Sequence, residues 1–236
     1  EYDLINIKSF EDLINNAIKN NIRRIIFLST IKVYGEFVRR SHPINKFTKL
    51  DSKDIYSFSK IKSEENLINI CKKSSLKFTV LRLPLVYGTN VKANFLKLIN
   101  FIYLNKFPLP VGLVDNKRSI LYLENLMYFI KECLENSKTE NLIIPVADSK
   151  PISLRLLIKL ISNGLNKKTI IFAFPTFIIK IALFITGKRN ISKSTLSSLY
   201  FSPEYLYSEI CWDPPFSTRS GIEKTCEWFL KNKSYD

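Results

Sequence analysis

One short apolar run constrains this chain more than anything else in it. Arg23 to Thr30, RRIIFLST, is too continuously apolar to be a strand with one wet face. A run of that kind suits a parallel sheet covered on both sides, so burial on both faces is predicted for it, and Lys77 to Leu83, KFTVLRL, reads as the next strand. Between them lies a polar loop holding Gly35, His42 and Pro43, then a helical pattern from about Asp54 to Lys73. Ahead of them, Ser9 stands three residues before Asp12, with Phe10, Leu13, Ile14, Ala17 and Ile18 at helical spacing. That predicts an amphipathic helix capped at Ser9 and ending near Asn20-Asn21. Helix, strand, loop, helix, strand is an α/β rhythm, and right-handed crossovers make neighbouring parallel strands the expectation.

Beyond Pro84 the pattern predicts a helix at Ala93 to Leu104, a Pro-rich turn at Phe107 to Gly112 and a strand near Ser119 to Leu123. A helix then runs to Glu135, followed by a strand at Leu142 to Val146. The remainder reads as mostly helical and closes with an amphipathic helix at Ser217 to Lys231.

Composition removes several classes. With 46% hydrophobic and 13% aromatic residues, the chain can bury enough apolar surface to offset its ordering entropy, which excludes disorder. At 236 residues one domain, or one and a half, is expected. The formal charge is 36 − 21 = +15, yet the cations are scattered rather than clustered along one element, so no nucleic-acid partner is expected. The positive field favours an anionic small molecule.

The cysteines Cys71, Cys133, Cys211 and Cys226 are far apart, so neither a metal site nor a disulfide framework is expected, and their usage fits a reducing cytoplasm. The lone histidine, His42, reads as a surface residue. Glu1-Tyr2-Asp3 is acidic where a signal peptide begins basic, so none is expected. Ile170 to Ile185 is the most membrane-like stretch, but Pro175 and Lys180 interrupt it. A buried or partly surface-docked helix is expected there, with no stable membrane insertion. Interfacial contact with a membrane is the alternative.

Chemistry gathers at three residues. Thr30 closes a buried strand, and ligands of open parallel sheets collect at the carboxyl ends of strands. Tyr56 and Lys60, at i and i+4, share a helix face. A tyrosine with an ordinary pKa of about 10 is a poor base at neutral pH, but an adjacent ammonium stabilises its phenolate. By itself Tyr-x-x-x-Lys is a weak signal, since about one such pair is expected by chance in a chain this rich in both residues.

Its surroundings make the chain resemble the extended short-chain dehydrogenase/reductase family, particularly the nucleotide-sugar epimerases and reductases. Phe27 to Glu36 is similar to the family's strand ending in a catalytic Ser or Thr, and Tyr56-Ser-Phe-Ser-Lys60 follows at the family's distance. Leu81 to Gly88, LRLPLVYG, resembles the strand and loop under the nicotinamide. Val91 to Phe95 and Arg118 to Asn125 resemble the stretches that contact the diphosphate, and Trp212 to Ser217 the turn before the last helix.

The resemblance implies the C-terminal part of a Rossmann-like doubly wound parallel sheet with a smaller, mostly helical substrate domain. On it, residues 1–88 are a partial dinucleotide-binding domain and 89–236 mainly the substrate domain, with 113–150 returning partly to the sheet. It implies Thr30, Tyr56 and Lys60 as catalytic residues. NAD, or NADP, is implied against Leu28, Ser29, Tyr56, Lys60, Leu83, Pro84 and Val86, and a UDP-sugar against Lys32, Tyr34, Asn94 and Arg118. Arg118 has a separate physical argument, because a guanidinium fork suits a phosphate better than a lysine does. Asn94 also reads as a helix cap and Pro84 as a strand end.

The family habit of pairing helices between subunits implies a homodimer. The family's dehydratases place an acidic pair after the catalytic threonine, where this chain has Ile31-Lys32. What remains is a 4-epimerase or a 4-dehydrogenase/4-keto-reductase, with wording that leans to UDP-N-acetylhexosamines of bacterial surface polysaccharides. One departure stands out. The glycines Gly35, Gly88, Gly112, Gly164, Gly187 and Gly221 are all far apart, so the glycine-rich turn that holds a pyrophosphate is absent. The chain is therefore expected to lack about the first third of a full-length member, as a fragment or as a non-catalytic remnant that binds only the sugar nucleotide.

Overall fold

A computed structural model describes residues 2–35, 43–45, 48–51, 54–105, 107–186, 196–202 and 210–233. His42 lies outside these residues. Helix α1 (Tyr2–Lys19) leads into strand β1 (Arg24–Thr30) and a 3-10 turn at Ile31–Tyr34. Helix α2 (Ile55–Cys71), β2 (Lys77–Leu83) and a short β3 (Leu85–Tyr87) follow. Then come α3 (Ala93–Leu104), β4 (Ile120–Tyr122), α4 (Leu123–Glu135) and β5 (Leu142–Pro145). The chain closes with α5 (Leu154–Gly164), α6 (Thr176–Ile185) and α7 (Thr218–Asn232). The mixed α/β class and the parallel pairing match the sequence reading.

The principal sheet runs β1-β2-β5, all parallel, with Ser29 opposite Arg82 and Thr30 opposite Leu83. Alternation along the strands divides its two faces. Ile25 and Phe27 of β1 and Phe78 and Val80 of β2 pack with Ile14 of α1 and Leu67 and Cys71 of α2. Leu81 and Leu83 point the other way, onto Leu126, Phe129 and Cys133 of α4. Burial raises the Cys133 thiol to about 11, consistent with an inert core cysteine.

Beside this sheet β3 and β4 form a parallel pair, with Tyr87 opposite Tyr122. Strand β4 joins two cores. Leu121 faces the α4 side, while Ile120 and Tyr122 enter a second cluster built from Phe95 and Ile99 of α3, Ile158 and Ile161 of α5, and Ile222 and Phe229 of α7.

Three expectations are corrected and a fourth is narrowed. Ser9 does not cap α1, which begins seven residues earlier, at Tyr2; a serine is tolerated inside a helix whose apolar stripe is already docked. Strand β1 is not buried on both faces, since Arg24 to Phe27 are half-buried and Leu28 is 41% exposed. The reason is positional: among the described residues β1 pairs only with β2, and the α4 layer reaches no further across it than Ile26. Asn94 does not cap α3; Lys92 occupies that position, with no side-chain hydrogen bond. Finally, of Ile170 to Ile185 only Thr176–Ile185 is helical, and it matches the surface-docked alternative rather than the buried one, since Thr176 Oγ1 donates to the Leu113 carbonyl while Phe177, Ile181, Phe184 and Ile185 are exposed.

Among the described residues no helix is long and apolar enough to cross a membrane, and no three His, Cys, Asp or Glu are grouped to hold a metal.

Gly221 marks a close approach of α7 to β3 and β4 inside the second core. A Cβ there would lie 2.8 Å from Tyr122 Cγ and 2.8 Å from Tyr87 Oη, both on rings that are 1% exposed. Gly221→Ala should therefore destabilise the protein. Overpacking of roughly 1–3 kcal/mol outweighs the gain of about 1 kcal/mol from better helix propensity. Urea unfolding with unchanged slope and a lower midpoint would show it.

Candidate active site

The carboxyl ends of β1 and β2 are where the predicted residues converge. Thr30 is the last residue of β1 and is buried; its Oγ1 accepts from Lys32 N at 3.3 Å, capping the 3-10 turn that redirects the chain. Because that oxygen is accepting, the hydroxyl hydrogen is left for another acceptor. Asp54 caps α2 through Oδ1, which accepts from Ser57 N at 2.9 Å, and this orients the turn carrying Tyr56. Burial alone would raise the Asp54 carboxyl, but hydrogen bonds from Ser57 and the nearby Lys32 charge hold it below its usual range.

One turn further on, Lys60 Nζ donates to the Leu28 carbonyl at 2.9 Å, tying α2 to the open edge of β1. The same ammonium lies 4.7 Å from the centre of the Phe27 ring and 6.0 Å from that of Tyr56. Burial lowers the Lys60 pKa, and the charge of Glu64 acts in the opposite direction. Tyr56 is 53% exposed.

Beneath these residues lies a charged cluster that sequence reasoning missed. Glu64 is 2% exposed and Arg82 7%. Arg82 donates through Nε to Glu64 Oε1 at 3.2 Å and through Nη2 to Oε2 at 2.5 Å. Ser29 Oγ also donates to Glu64. The remaining arm of Arg82 donates to Tyr34 Oη at 2.5 Å, with the guanidinium carbon 4.9 Å from the ring centre. Two of the expected contact residues, Ser29 and Tyr34, thus engage this cluster. A signal was available: Glu64 extends the Tyr56, Lys60 series by four, and Arg82 stands between Leu81 and Leu83 near the end of a strand, where its charge must be satisfied.

The other expected residues fall as follows. Leu83 and Pro84 are buried at the end of β2, and Val86 packs on the α4 core. Lys32 is half-buried in the 3-10 turn. Asn94 is exposed on the first turn of α3. Arg118 bridges Ile152 and Leu199, and its Nη1 donates to the Ser197 carbonyl at 3.3 Å. Thr30, Tyr56 and Lys60 therefore gather around β1, whereas Asn94 and Arg118 sit on segments adjoining the second core.

With this geometry in place, the chain can be set beside known proteins. The profile of the NAD dependent epimerase/dehydratase family matches residues 2–145. A UDP-glucose 4-epimerase of Vibrio cholerae is 29% identical over 231 residues, covering 98% of this chain and 70% of that protein. The N-acetyl-alpha-D-glucosaminyl-diphospho-ditrans,octacis-undecaprenol 4-epimerase of Escherichia coli O157:H7 is 24% identical, covering 100% and 74%. Among solved structures, the UDP-glucuronic acid 4-epimerase of Bacillus cereus, in complex with UDP-glucuronic acid and NAD, superposes with a TM-score of 0.72. It is 17% identical and covers 96% of this chain and 68% of that one.

The link between Glu64 and Lys60 can be read directly. Glu64→Gln removes the charge that supports the Lys60 ammonium, so the Lys60 pKa should fall further. NMR titration of labelled lysine checks the sign, and an unchanged or raised value would separate the two residues.

Proposed function

The chain belongs to the NAD dependent epimerase/dehydratase family, and on that premise we propose that it acts at C4 of a UDP-hexose or UDP-N-acetylhexosamine. The reaction is 4-epimerisation or 4-dehydrogenation/4-keto reduction. The observation that carries this reading is the placement of Tyr56 and Lys60 on one face of α2, with Lys60 hydrogen-bonded to Leu28 two residues before Thr30.

In this reading the Tyr56 phenolate takes the proton of the C4 hydroxyl. Lys60 stabilises the phenolate by its charge, and the Thr30 hydroxyl donates to the reacting oxygen. The nicotinamide, when bound, supplies the hydride acceptor. Arg118 supplies a fork for the diphosphate, and Lys32 and Asn94 line the sugar nucleotide.

The residues present fit part of such a cofactor. The open carboxyl ends of β1 and β2, Leu28, the exposed face of Tyr56 and the Leu83-to-Val86 turn suit a nicotinamide end. No closely spaced glycines are present to cradle its pyrophosphate, the nearest pair being Gly164 and Gly187. We assign that cradle to residues outside these 236, with residues up to 88 as the partial cofactor domain and 89–236 as mainly the sugar-nucleotide domain. The absent glycine turn also favours one second reading, a binding module that holds the sugar nucleotide without turning it over. A cytoplasmic homodimer is part of the proposal, and exposed Ile55 and Phe58 beside Tyr56 on α2 support pairing there.

Calorimetric titration with UDP-N-acetylglucosamine and with NAD, each alone, tests the division of labour: the sugar nucleotide should bind and Arg118→Ala should weaken it. In the full enzyme Tyr56→Phe should lower turnover by about 10²–10⁴-fold while leaving sugar-nucleotide binding intact. Unchanged turnover removes Tyr56 from the mechanism, and binding without turnover in any form of the protein leaves the binding module.

A further inference from the structure

Helix α6, TFIIKIALFI, has nine apolar or neutral residues around a single charge, Lys180. At about 100° per residue, Phe177, Ile178, Ile181, Phe184 and Ile185 fall within roughly a third of the helix circumference. These five are 38–77% exposed. Lys180 lies just beyond one rim of this stripe, and half-buried Ile179 lies opposite it, on the side toward the protein. Thr176 Oγ1 donates to the Leu113 carbonyl at 3.2 Å, which brings the helix start against the 109–113 segment. Leu113 is 55% exposed there, and Ile170 and Phe172, on the segment hydrogen-bonded to it, are 65% and 41% exposed. The apolar surface thus extends past the helix, a pattern that marks an interaction site.

Charge identifies the partner. Between Asp148 and Glu204 the sequence contains no acidic residue and nine Lys or Arg. Lys167 and Lys168 precede the apolar stretch, and Lys188 and Arg189 follow it in sequence. Among the described residues, no ion pair involves Lys150, Arg155, Lys159, Lys167, Lys168 or Lys180 of this segment. A second copy docking here would bring two acid-free segments together and be repelled. An anionic lipid surface offers both a place for the apolar stripe and counter-charge for its surroundings. At ten residues, about 15 Å, α6 is too short to span a hydrocarbon core of about 30 Å, so it would lie in the interface plane.

We infer that α6 and its flanking cations seat this protein on anionic membrane surfaces. The contact involves none of the residues proposed for sugar-nucleotide chemistry, so it stands or falls independently of them.

Co-sedimentation with extruded vesicles tests this. Vesicles of phosphatidylcholine with about 30% phosphatidylglycerol should retain the protein at least tenfold better than phosphatidylcholine alone, and added salt should reverse most of that retention. The double variant Phe177→Ser, Ile181→Ser should reduce retention on the order of tenfold, as should Lys167→Glu, Lys168→Glu, with circular dichroism and UDP-sugar binding unchanged. In an Ile181→Trp variant, emission should shift to the blue on adding the anionic vesicles. Absence of retention, retention that ignores the Ser substitutions, or a dimer in sedimentation velocity that the same substitutions dissolve would each overturn the proposal. The last outcome would assign the face to a second copy.

Discussion

The Glu64 carboxylate, almost wholly removed from water, holds the candidate site in register. A buried charge costs several kcal/mol unless it is paired and its remaining lone pairs are filled. Glu64 meets that condition with three donors, Arg82 Nε, Arg82 Nη2 and Ser29 Oγ. Since Ser29 is on β1, Arg82 on β2 and Glu64 on α2, their mutual satisfaction fixes where the helix sits along the strands. Lys60 is one turn before Glu64, so the same fixation lets its ammonium reach the Leu28 carbonyl. Were α2 to slide by a turn, both Glu64 and Arg82 would be buried without partners. The arrangement around Thr30 is thus held by charge satisfaction rather than by apolar packing alone.

A second buried carboxylate performs a similar task between the two cores. Asp148 accepts from Tyr122 N at 3.0 Å, Asn125 Nδ2 at 2.8 Å, Tyr87 Oη at 2.7 Å and Thr218 Oγ1 at 3.2 Å. Those donors come from β4, α4, β3 and the first turn of α7. Burial raises the Asp148 carboxyl pKa even though the donors act to lower it, and it also raises the Tyr87 phenol. Both groups are therefore committed to structure, which separates Tyr87 from Tyr56: one tyrosine is locked by a carboxylate, the other stands exposed beside an ammonium.

How much of this could be read from sequence follows from what each pattern measures. Strand β2 carries Lys77, Thr79 and Arg82 among its apolar residues and is nevertheless buried along nearly its whole length. Strand β1 reads as continuously apolar but, among the described residues, lies at an edge of the sheet, because run composition reports affinity for a covered sheet and not the presence of the cover. Asp54 as the cap of α2 and Ser217 as the cap of α7 match sequence signals, since caps are local. Ser9 and Asn94 carry equally good local signals and cap nothing, since α1 and α3 start earlier than those residues. That Tyr56 and Lys60 share a face of α2 was legible through their spacing of four. Glu64 was not, because a glutamate on a helix ordinarily reads as solvated and only the tertiary position of Arg82 buries it.

The charge distribution needs the same distinction between composition and place. A net +15 alone says only that anions are favoured. Its arrangement says more, because Arg82 and Arg24 are consumed by Glu64 and Glu140 within the fold. The cations of residues 149–203 have no acid of their own segment to meet. Charge consumed in this way stiffens a structure but adds little to its outward field, whereas unpaired charge acts across about a Debye length, ~8 Å at physiological salt. Residues 149–203 hold nine cations and no acid, +9 of the net +15, and the same stretch carries the exposed apolar helix α6. The placement of charge, more than its total, ties that surface to an anionic partner.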